Sequence, residues 1–556
     1  MKKAALLLLI ISITSSLSSA RAQDAKQKGL DAITLQAVQG QLEFLASDWT
    51  EGRATGTEGA YLAADYIASL FKVYGLQPAG DMVTERPSRA ERRAGKRPAS
   101  HRTYFQNFNL IETRPGEDHE LSLTETSSGG TRTLNFAYRT DFVVQASGVS
   151  SEIEVPVVFV GYGLTDEENG YDDFKGIDVK DKIILRLSGY PGHNDKESKA
   201  YKALSSDWGM GRWTLMRAKN NRASELGVAA VIEVNPDADV TDAWAANLPF
   251  RVNSGDYEGE EPRASYYETR MRLPGNELGS NTIRLTVSNR VINELIKGTG
   301  VDMDAFQEKV KESLKPESRM LPGKKLRVKA TIDSKLIRAR NVLGVLPGKD
   351  TTEIIVIGAH YDHLGIHDGW IWNGADDNAS GTVGVMSIAK ACMATGEKPE
   401  KTIVFCAWTG EEKGLLGSRY FADHPYNDAK MILNLNYDMI SRDNDNDSLK
   451  NKCSMNYTKA YSVLKELTEK NVEAYELDLD VGFRASERPR GGSDHSSFSA
   501  KDVPIMYFMA GFPPEYHQPD DHINLVNWKK MVNIIKIGYL NIWDLANSEW
   551  DADPQE

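Results

Sequence analysis

Cysteine is scarce: Cys392, Cys406 and Cys453 are the only three in 556 residues. An odd count without framework spacing excludes a disulfide-stapled fold. Cys392 falls on an apolar helical stretch and Cys406 inside a strand-like run, so both read as small buried hydrophobes rather than ligands. A Cys392–Cys406 bridge in an oxidising compartment is the alternative left open. Beyond the first residues no stretch reaches the ~18 apolar residues of a membrane-spanning helix, which argues against stable membrane insertion. Positive charge is in deficit, 66 Lys and Arg against 79 Asp and Glu, and this argues against a nucleic-acid or anionic-membrane partner. The one basic stretch, Arg86 to Arg102, contains Gly and Pro and reads as a solvated loop. Internal repeats and low-complexity tracts are also absent.

The composition is that of a globular chain, 40% hydrophobic and 26% charged, and its length favours two domains. The N-terminus has a charged start (Lys2, Lys3), an apolar core from Ala4 to Ile13 and an Ala20-Arg21-Ala22 ending. That pattern predicts a secretory signal peptide over residues 1–22, and hence an exported protein, periplasmic or extracellular, starting at Gln23. Losing Lys2, Lys3 and Arg21 takes the net charge from -13 to -16.

Two helices open the mature chain. Leu35, Val38, Leu42 and Leu45 recur at helical spacing; a second helix over Glu58 to Tyr74 carries Ala60, Ala64, Ile67 and Phe71 and stops at Gly75. A tight turn, Glu51 to Thr57, joins them. Residues 138–326 have a different texture. Strands at Val155 to Val160 and Ile183 to Leu187, a helix over Thr214 to Leu226 and an apolar run Val228 to Val234 predict a smaller α/β unit. It is inserted into a discontinuous larger domain, 23–137 plus 327–556, with the Pro/Gly/Lys segment Leu321 to Lys325 as its exit. From Asn341 onward strand and helix alternate, which predicts a mostly parallel twisted sheet flanked by helices.

Chemistry-bearing residues follow the strand-like runs of that last region. His360, Asp362 and His363 come after Ile354 to Ile357, and Asp376 lies in Gly374-Ala375-Asp376-Asp377-Asn378-Ala379-Ser380-Gly381. Glu411 and Glu412 come after Ile403-Val404-Phe405, Asp438 after Met431 to Leu435, and His517 after Val503 to Phe508. In open α/β sheets ligands bind at the carboxyl ends of strands. Any one of these residues alone reads as a solvated polar group; together they supply imidazole and carboxylate ligands plus a spare glutamate for proton transfer. Without thiolate, the set suits zinc, with cobalt or manganese as substitutes. His363 and His367 match no ligand position and read as solvated or supporting. Asp443, Asp445 and Asp447 alternate as in a calcium loop, yet Ser448 and Ser454 stand where Gly and Glu are needed, so a solvated loop is expected.

These motifs resemble the co-catalytic dizinc aminopeptidases, a superfamily that includes glutamate carboxypeptidase. The resemblance rests on His360-Tyr361-Asp362, Gly374 to Gly381, Glu411-Glu412, Asn436-Tyr437-Asp438 and Tyr516-His517-Gln518-Pro519-Asp520. It implies a zinc exopeptidase-like fold with an inserted protease-associated domain. It also implies two Zn²⁺ per chain, one held by His360 and Asp438, the other by Glu412 and His517, with Asp376 bridging. Glu411 is then the general base toward a water held by both ions, and Asp362 orients His360 through its other ring nitrogen. A cis peptide at Asp376–Asp377 is expected from the same source.

Substrate contacts are expected from Tyr516, toward the oxyanion, from Glu515, and from Asp494 in Gly492-Ser493-Asp494-His495, for which a structural turn weighs equally. Because Ala510 to Glu515 has no arginine and offers a carboxylate, a free α-amine is the expected recognition group. The expected activity is aminopeptidase cleavage of peptides. The alternatives are a carboxypeptidase or dipeptidase on the same site, or a receptor-like protein without activity. Neither the oligomeric state nor the preferred residue is legible.

Overall fold

The computed structural model describes residues 23–550, apart from 139, 147–149, 209–211, 235–268, 276–281, 368 and 445. The signal peptide expected over residues 1–22 therefore lies outside the described residues. The chain forms two compact units: one runs to Leu110 and resumes at Ile337, the other is Ile111–Leu336.

The first unit opens on α1 (Leu35–Leu45) and α2 (Glu58–Tyr74). Thr34 and Thr57 cap them by accepting from the N–H groups of Ala37 and Ala60, and Gly75, at φ 92°, ends α2 in the left-handed region that glycine enters freely. The buried stripe of α2 is the expected one; on α1, Val38, Leu42 and Leu45 are buried but Leu35 faces solvent.

The sheet of this unit is built from β1 (Phe105–Pro115), β2 (Ile332–Leu346), β3 (Asp350–His360), β4 (Lys401–Trp408), β5 (Lys430–Tyr437), β6 (Lys452–Thr458), β7 (Asp480–Ser486) and β8 (Ile505–Met509). Their spatial order is β1-β2-β4-β3-β5-β8-β6-β7. The central four, β4, β3, β5 and β8, run parallel, while β2 and β6 pair antiparallel at either side. Being covered on both faces, these strands are apolar almost throughout, as parallel strands must be. Ile354, Ile355, Val356 and Ile357 of β3 are wholly buried. Helix α3 (Gly381–Ala394) is buried nearly all round and packs against β3, α1 and α2; α4 (Trp528–Ala546) covers the same face. Four parallel strands thus deliver their carboxyl ends to one edge.

The second unit has its own eight-stranded sheet and hydrophobic core. Its parallel centre is Ser151–Phe159, Ile183–Leu187, Ala230–Val234 and Ile283–Val287, with a helix at Arg212–Glu225. The boundaries differ from those expected. Strands Glu120–Ser127 and Gly130–Phe136 pair into this sheet, so the unit starts at Ile111 instead of 138. Leu321 to Lys325 is no exit linker: it lies inside strand Arg319–Ala330, where the register shifts between Met320 and Lys325. Pro and Gly there produce a bulge, with Gly323 at φ 68° packed on the Thr126 carbonyl.

Two loops read as solvated are structured. Met82–Glu85 and Ala99–Arg102 pair as a hairpin around the short helix Arg89–Arg93, which Ser88 and Glu91 close with a reciprocal capping box. Asp443 and Asp447 both meet a buried lysine, while Asp445 lies outside the described residues. Lys530 Nζ of α4 lies 2.6 Å from both Asp443 Oδ1 and Asp447 Oδ2, so an ammonium stands where a calcium ion was considered. Cys392, Cys406 and Cys453 are buried and unbridged.

Candidate metal centre

His360 is the last residue of β3, His363 follows it and Asp377 lies in the turn before α3, while Glu411 and Glu412 follow β4, Asp438 follows β5 and His517 comes after β8. His360 Nε2 lies 3.4 Å from Asp377 Oδ1, 3.5 Å from Asp438 Oδ1 and 3.9 Å from Glu411 Oε2. The other oxygen of Asp377, Oδ2, lies 2.9 Å from His517 Nε2, which is itself 3.3 Å from Glu412 Oε2. His363 Nδ1 donates to Glu412 Oε1 at 2.8 Å and sits 3.9 Å from Asp377 Oδ2. Two ligand-like groups result: His360, Asp377 and Asp438, and His363, Asp377 and Glu412, with the donor atoms of each within 4.8 Å of one another. Asp377 belongs to both.

The expected bridge, Asp376, is elsewhere. Its Oδ1 accepts from the N–H of Ser441 at 2.8 Å and from its hydroxyl at 2.7 Å. Adjacent side chains leave the turn in different directions, so Asp377 reaches the histidines and Asp376 faces away from them. The cis peptide is likewise one position further on, at Asp377–Asn378. Asp362 also differs from expectation. His360 Nδ1 meets the main-chain carbonyl of Asp362 at 3.1 Å, whereas the carboxylate is 3.8 Å away. That carboxylate instead accepts from Thr55 Oγ1 at 2.8 Å and from the Glu411 N–H at 3.2 Å, and so braces the glutamate loop.

Burial and crowding set the electrostatics. His360 is buried, which lowers the pKa of an imidazole, but the Glu411 and Asp438 carboxylates outweigh this and hold it well above the usual value. His517 behaves alike, raised to about 10 against its burial by Glu412 and Asp377. Burial pushes Glu411 well up, with Glu412, Asp494 and Asp438 adding to it against the pull of His360. Glu412 is held well below the carboxylate range, despite burial, by His517 and His363. Asp494, also buried, is raised to about 7. Four carboxylates, Asp377, Glu411, Glu412 and Asp438, thus face three imidazoles in a largely buried cluster, and Asp438 Oδ1 is buried without a hydrogen-bond partner. Divalent cations fit that set: oxygen and imidazole donors, no thiolate, and an excess of buried negative charge.

One supporting residue, Arg53, was not foreseen. Arg53 is fully buried; its Nε donates to the Tyr361 carbonyl at 2.7 Å, Nη1 to Asn373 O at 2.7 Å and to Leu45 O, and Nη2 to Gly374 O at 2.9 Å. One guanidinium therefore ties the α1 end, the β3 end and the aspartate turn together. Gly52, at φ 64°, makes this approach possible, since a Cβ there would lie 2.5 Å from the Trp372 carbonyl. Ser493 and Asp494 are buried as well, and Ser493 Oγ accepts from Asn436 Nδ2 at 2.8 Å. The Tyr516 ring stacks on His517 at 3.8 Å between centroids. Glu515 is not a free carboxylate: its Oε2 meets Arg442 Nη2 at 2.5 Å.

Residues 341–539 match the model for Peptidase family M28. Both ligand groups and His517 fall inside that segment. A glutamate carboxypeptidase 2 homolog from Caenorhabditis briggsae is 27% identical over 300 residues, 50% of this chain and 36% of that protein. Leucine aminopeptidase 2 from Trichophyton equinum is 37% identical over 106 residues, 19% of this chain and 20% of that one. The chain thus spans about a third or less of the length of these relatives. Among solved structures, an aminopeptidase from Aneurinibacillus sp. strain AM-1 aligns over 96% of this chain and 98% of its own, at a TM-score of 0.55 and 18% identity. A zinc aminopeptidase from Bacillus subtilis aligns over 94% and 98%, at 0.51 and 17%. At such identity the likeness establishes the fold, an α/β sheet flanked by helices. No helix among the described residues is long and apolar enough to cross a membrane.

Proposed function

We propose that the protein is a metal-dependent exopeptidase that removes N-terminal residues from peptides. The observation that carries this reading is the division of Asp377 between two histidines, Oδ1 toward His360 and Oδ2 toward His517. A carboxylate so placed is suited to join two cations. His360 and Asp438 would hold one, Glu412 and His517 the other, with Asp377 shared and His363 orienting Glu412 by hydrogen bond. Zinc is the metal favoured by the donor set and by the neighbouring zinc aminopeptidase. When bound, such ions polarise the scissile carbonyl and lower the pKa of water.

The chain's own groups do the rest. Glu411 is the one carboxylate left over from the two ligand sets; burial raises its pKa, which suits a group that accepts a proton from the attacking water and returns it to the leaving amine. Asp362 fixes the Glu411 backbone through the N–H bond described above. Tyr516, whose ring stacks on His517, would donate its hydroxyl to the developing oxyanion. The aminopeptidase reading draws further support from the aminopeptidases among relatives and neighbours. The carboxypeptidase homolog keeps cleavage at the other end as the competing reading. The charged and apolar pattern of residues 1–22 supports export, and we read the second unit as a protease-associated domain.

A single assay tests the reading. Peptides with free or acetylated N-termini and free or amidated C-termini are cleaved with and without chelator. Chelation should abolish activity and Zn²⁺ restore it, and acetylation should cost more than a hundredfold while amidation costs little. Full activity in a verified metal-free sample, or loss on amidation alone, would overturn it.

A further inference from the structure

The turn that carries Asp377 is gripped from two sides. Arg53 takes the carbonyls of Asn373 and Gly374. The next three N–H groups converge on one residue. Ala375 N–H donates to the main-chain carbonyl of Asp521 at 3.1 Å, Asp376 N–H to Oδ1 and Oδ2 at 3.1 and 3.0 Å, and Asp377 N–H to Oδ2 at 3.1 Å. Successive N–H groups of this kind form a nest for an anion, and here the anion is the chain's own carboxylate. Asp521 is 1% exposed, and Arg442 Nη1 lies 3.6 Å from its Oδ1.

The geometry points to Asp521 as a positioning residue that sets where Asp377 reaches between His360 and His517. It touches neither histidine and acts only through the backbone of the turn. Three carboxylates, Asp376, Asp377 and Asp521, crowd one place, yet each has a separate anchor: Ser441 for Asp376, the nest for Asp521, the histidines for Asp377. If Asp521 released the nest, the Asp377 N–H would lose its acceptor, and the side chain would be left with only the histidines to set its direction. Outer partners of metal-ligating groups commonly govern affinity by ~10–100-fold.

This inference rests on the metal-hydrolase reading, and the test separates the two. Zn²⁺ uptake by the metal-free full-length chain is titrated against a chromophoric chelator, and the visible absorption of the Co²⁺-loaded protein is recorded. Uptake by the unmodified chain tests the reading; the ratio of variant to unmodified affinity tests Asp521. Asp521→Asn, which keeps the shape but turns an amide donor toward the nest, should weaken Zn²⁺ binding by ~10–100-fold. It should also shift the Co²⁺ spectrum and leave the circular dichroism of the metal-free protein unchanged. Unaltered affinity with an unaltered Co²⁺ spectrum overturns the inference. Should the Asn variant not fold, Asp521→Glu keeps the charge but displaces it by one methylene, and it is judged by the same two readouts.

Discussion

The Nη2 atom of Arg442 lies 2.5 Å from Glu515 Oε2, and the arginine is itself buried. The carboxylate that the sequence offers beside His517 is therefore already matched by a cation from 73 residues earlier. A paired carboxylate is a poor receptor for a substrate ammonium.

Glu515→Gln should accordingly leave the preference for unblocked peptides intact while weakening the fold. Breaking a buried ion pair by removing one partner costs ~3–5 kcal/mol, because the other charge is stranded. Glu515 is partly exposed, so screening brings the expected loss toward the lower end of that range or below it. Chemical denaturation measures the loss, and the ratio of rates on acetylated and free peptides measures the preference. A collapse of that ratio would return Glu515 to the role first expected of it.

The two adjacent glutamates should separate cleanly. Glu411→Gln is expected to retain metal and lose turnover by ~10²–10⁴-fold, as for removal of a general base. Glu412→Gln removes the partner of His363 and His517 and should lower metal content. Metal analysis beside single-turnover rates decides it; a metal-depleted Glu411 variant with normal turnover after reloading would reverse the assignment.

A second contrast concerns the neighbouring aspartates. Asp377→Asn should strip bound metal, whereas Asp376→Asn should keep it close to the unmodified level. Burial, with Asp521 beside it, pushes Asp376 well above the usual carboxylate value, so a neutral amide suits its place between Ser441 and Asp521. Equal metal loss in both variants would contradict the geometry.

Lys530 gives a stability test away from the site. Lys530→Met leaves Asp447 buried and uncompensated and should cost ~3–5 kcal/mol. Burial alone would raise Asp447, but the Lys530 ammonium and the Lys452 and Asn451 N–H groups hold it below the ordinary carboxylate value. A carboxylate depressed in the folded state contributes stability above its unfolded pKa of ~3.9, and that stability is lost as pH falls through the folded value. Unfolding free energy should thus drop below about pH 4, and less steeply in Asp447→Asn. An identical acid slope in the two proteins would show that the pair does not titrate with folding.

The strand-end placement of His360, Glu411, Glu412, Asp438 and His517 was legible because each follows an apolar run short enough to be a buried parallel strand. Asp376 and Asp377 could not be told apart, since periodicity gives the position of a turn but not the direction of side chains within it. Arg53, Ser441, Arg442 and Asp521 were invisible for another reason. They act through backbone groups or through partners many residues distant, and spacing along the chain carries no trace of that. The signal nearest to hand was Gly52 before Arg53, a glycine where close backbone approach was needed. The unit boundary was misplaced because Glu120–Phe136 reads as strand in either unit, and only its pairing with Arg319–Ala330 assigns it.

Arg53 donates to carbonyls at Tyr361, Asn373 and Gly374, more than 300 residues further along the chain. The inserted unit, Ile111–Leu336, comes off the ribosome in between. At ~5–20 residues per second, that interval lasts roughly 10–50 s. Throughout it the first two helices have no sheet to cover, and of the carbonyls that Arg53 meets only that of Leu45 has been made. The insert holds all the strands of its own sheet and can close first, so the first unit is completed last, joining segments made long apart. A nascent chain paused before residue 374 would carry a finished insert and an exposed, unfinished first unit, which is the stage at which holding by a chaperone has most to protect.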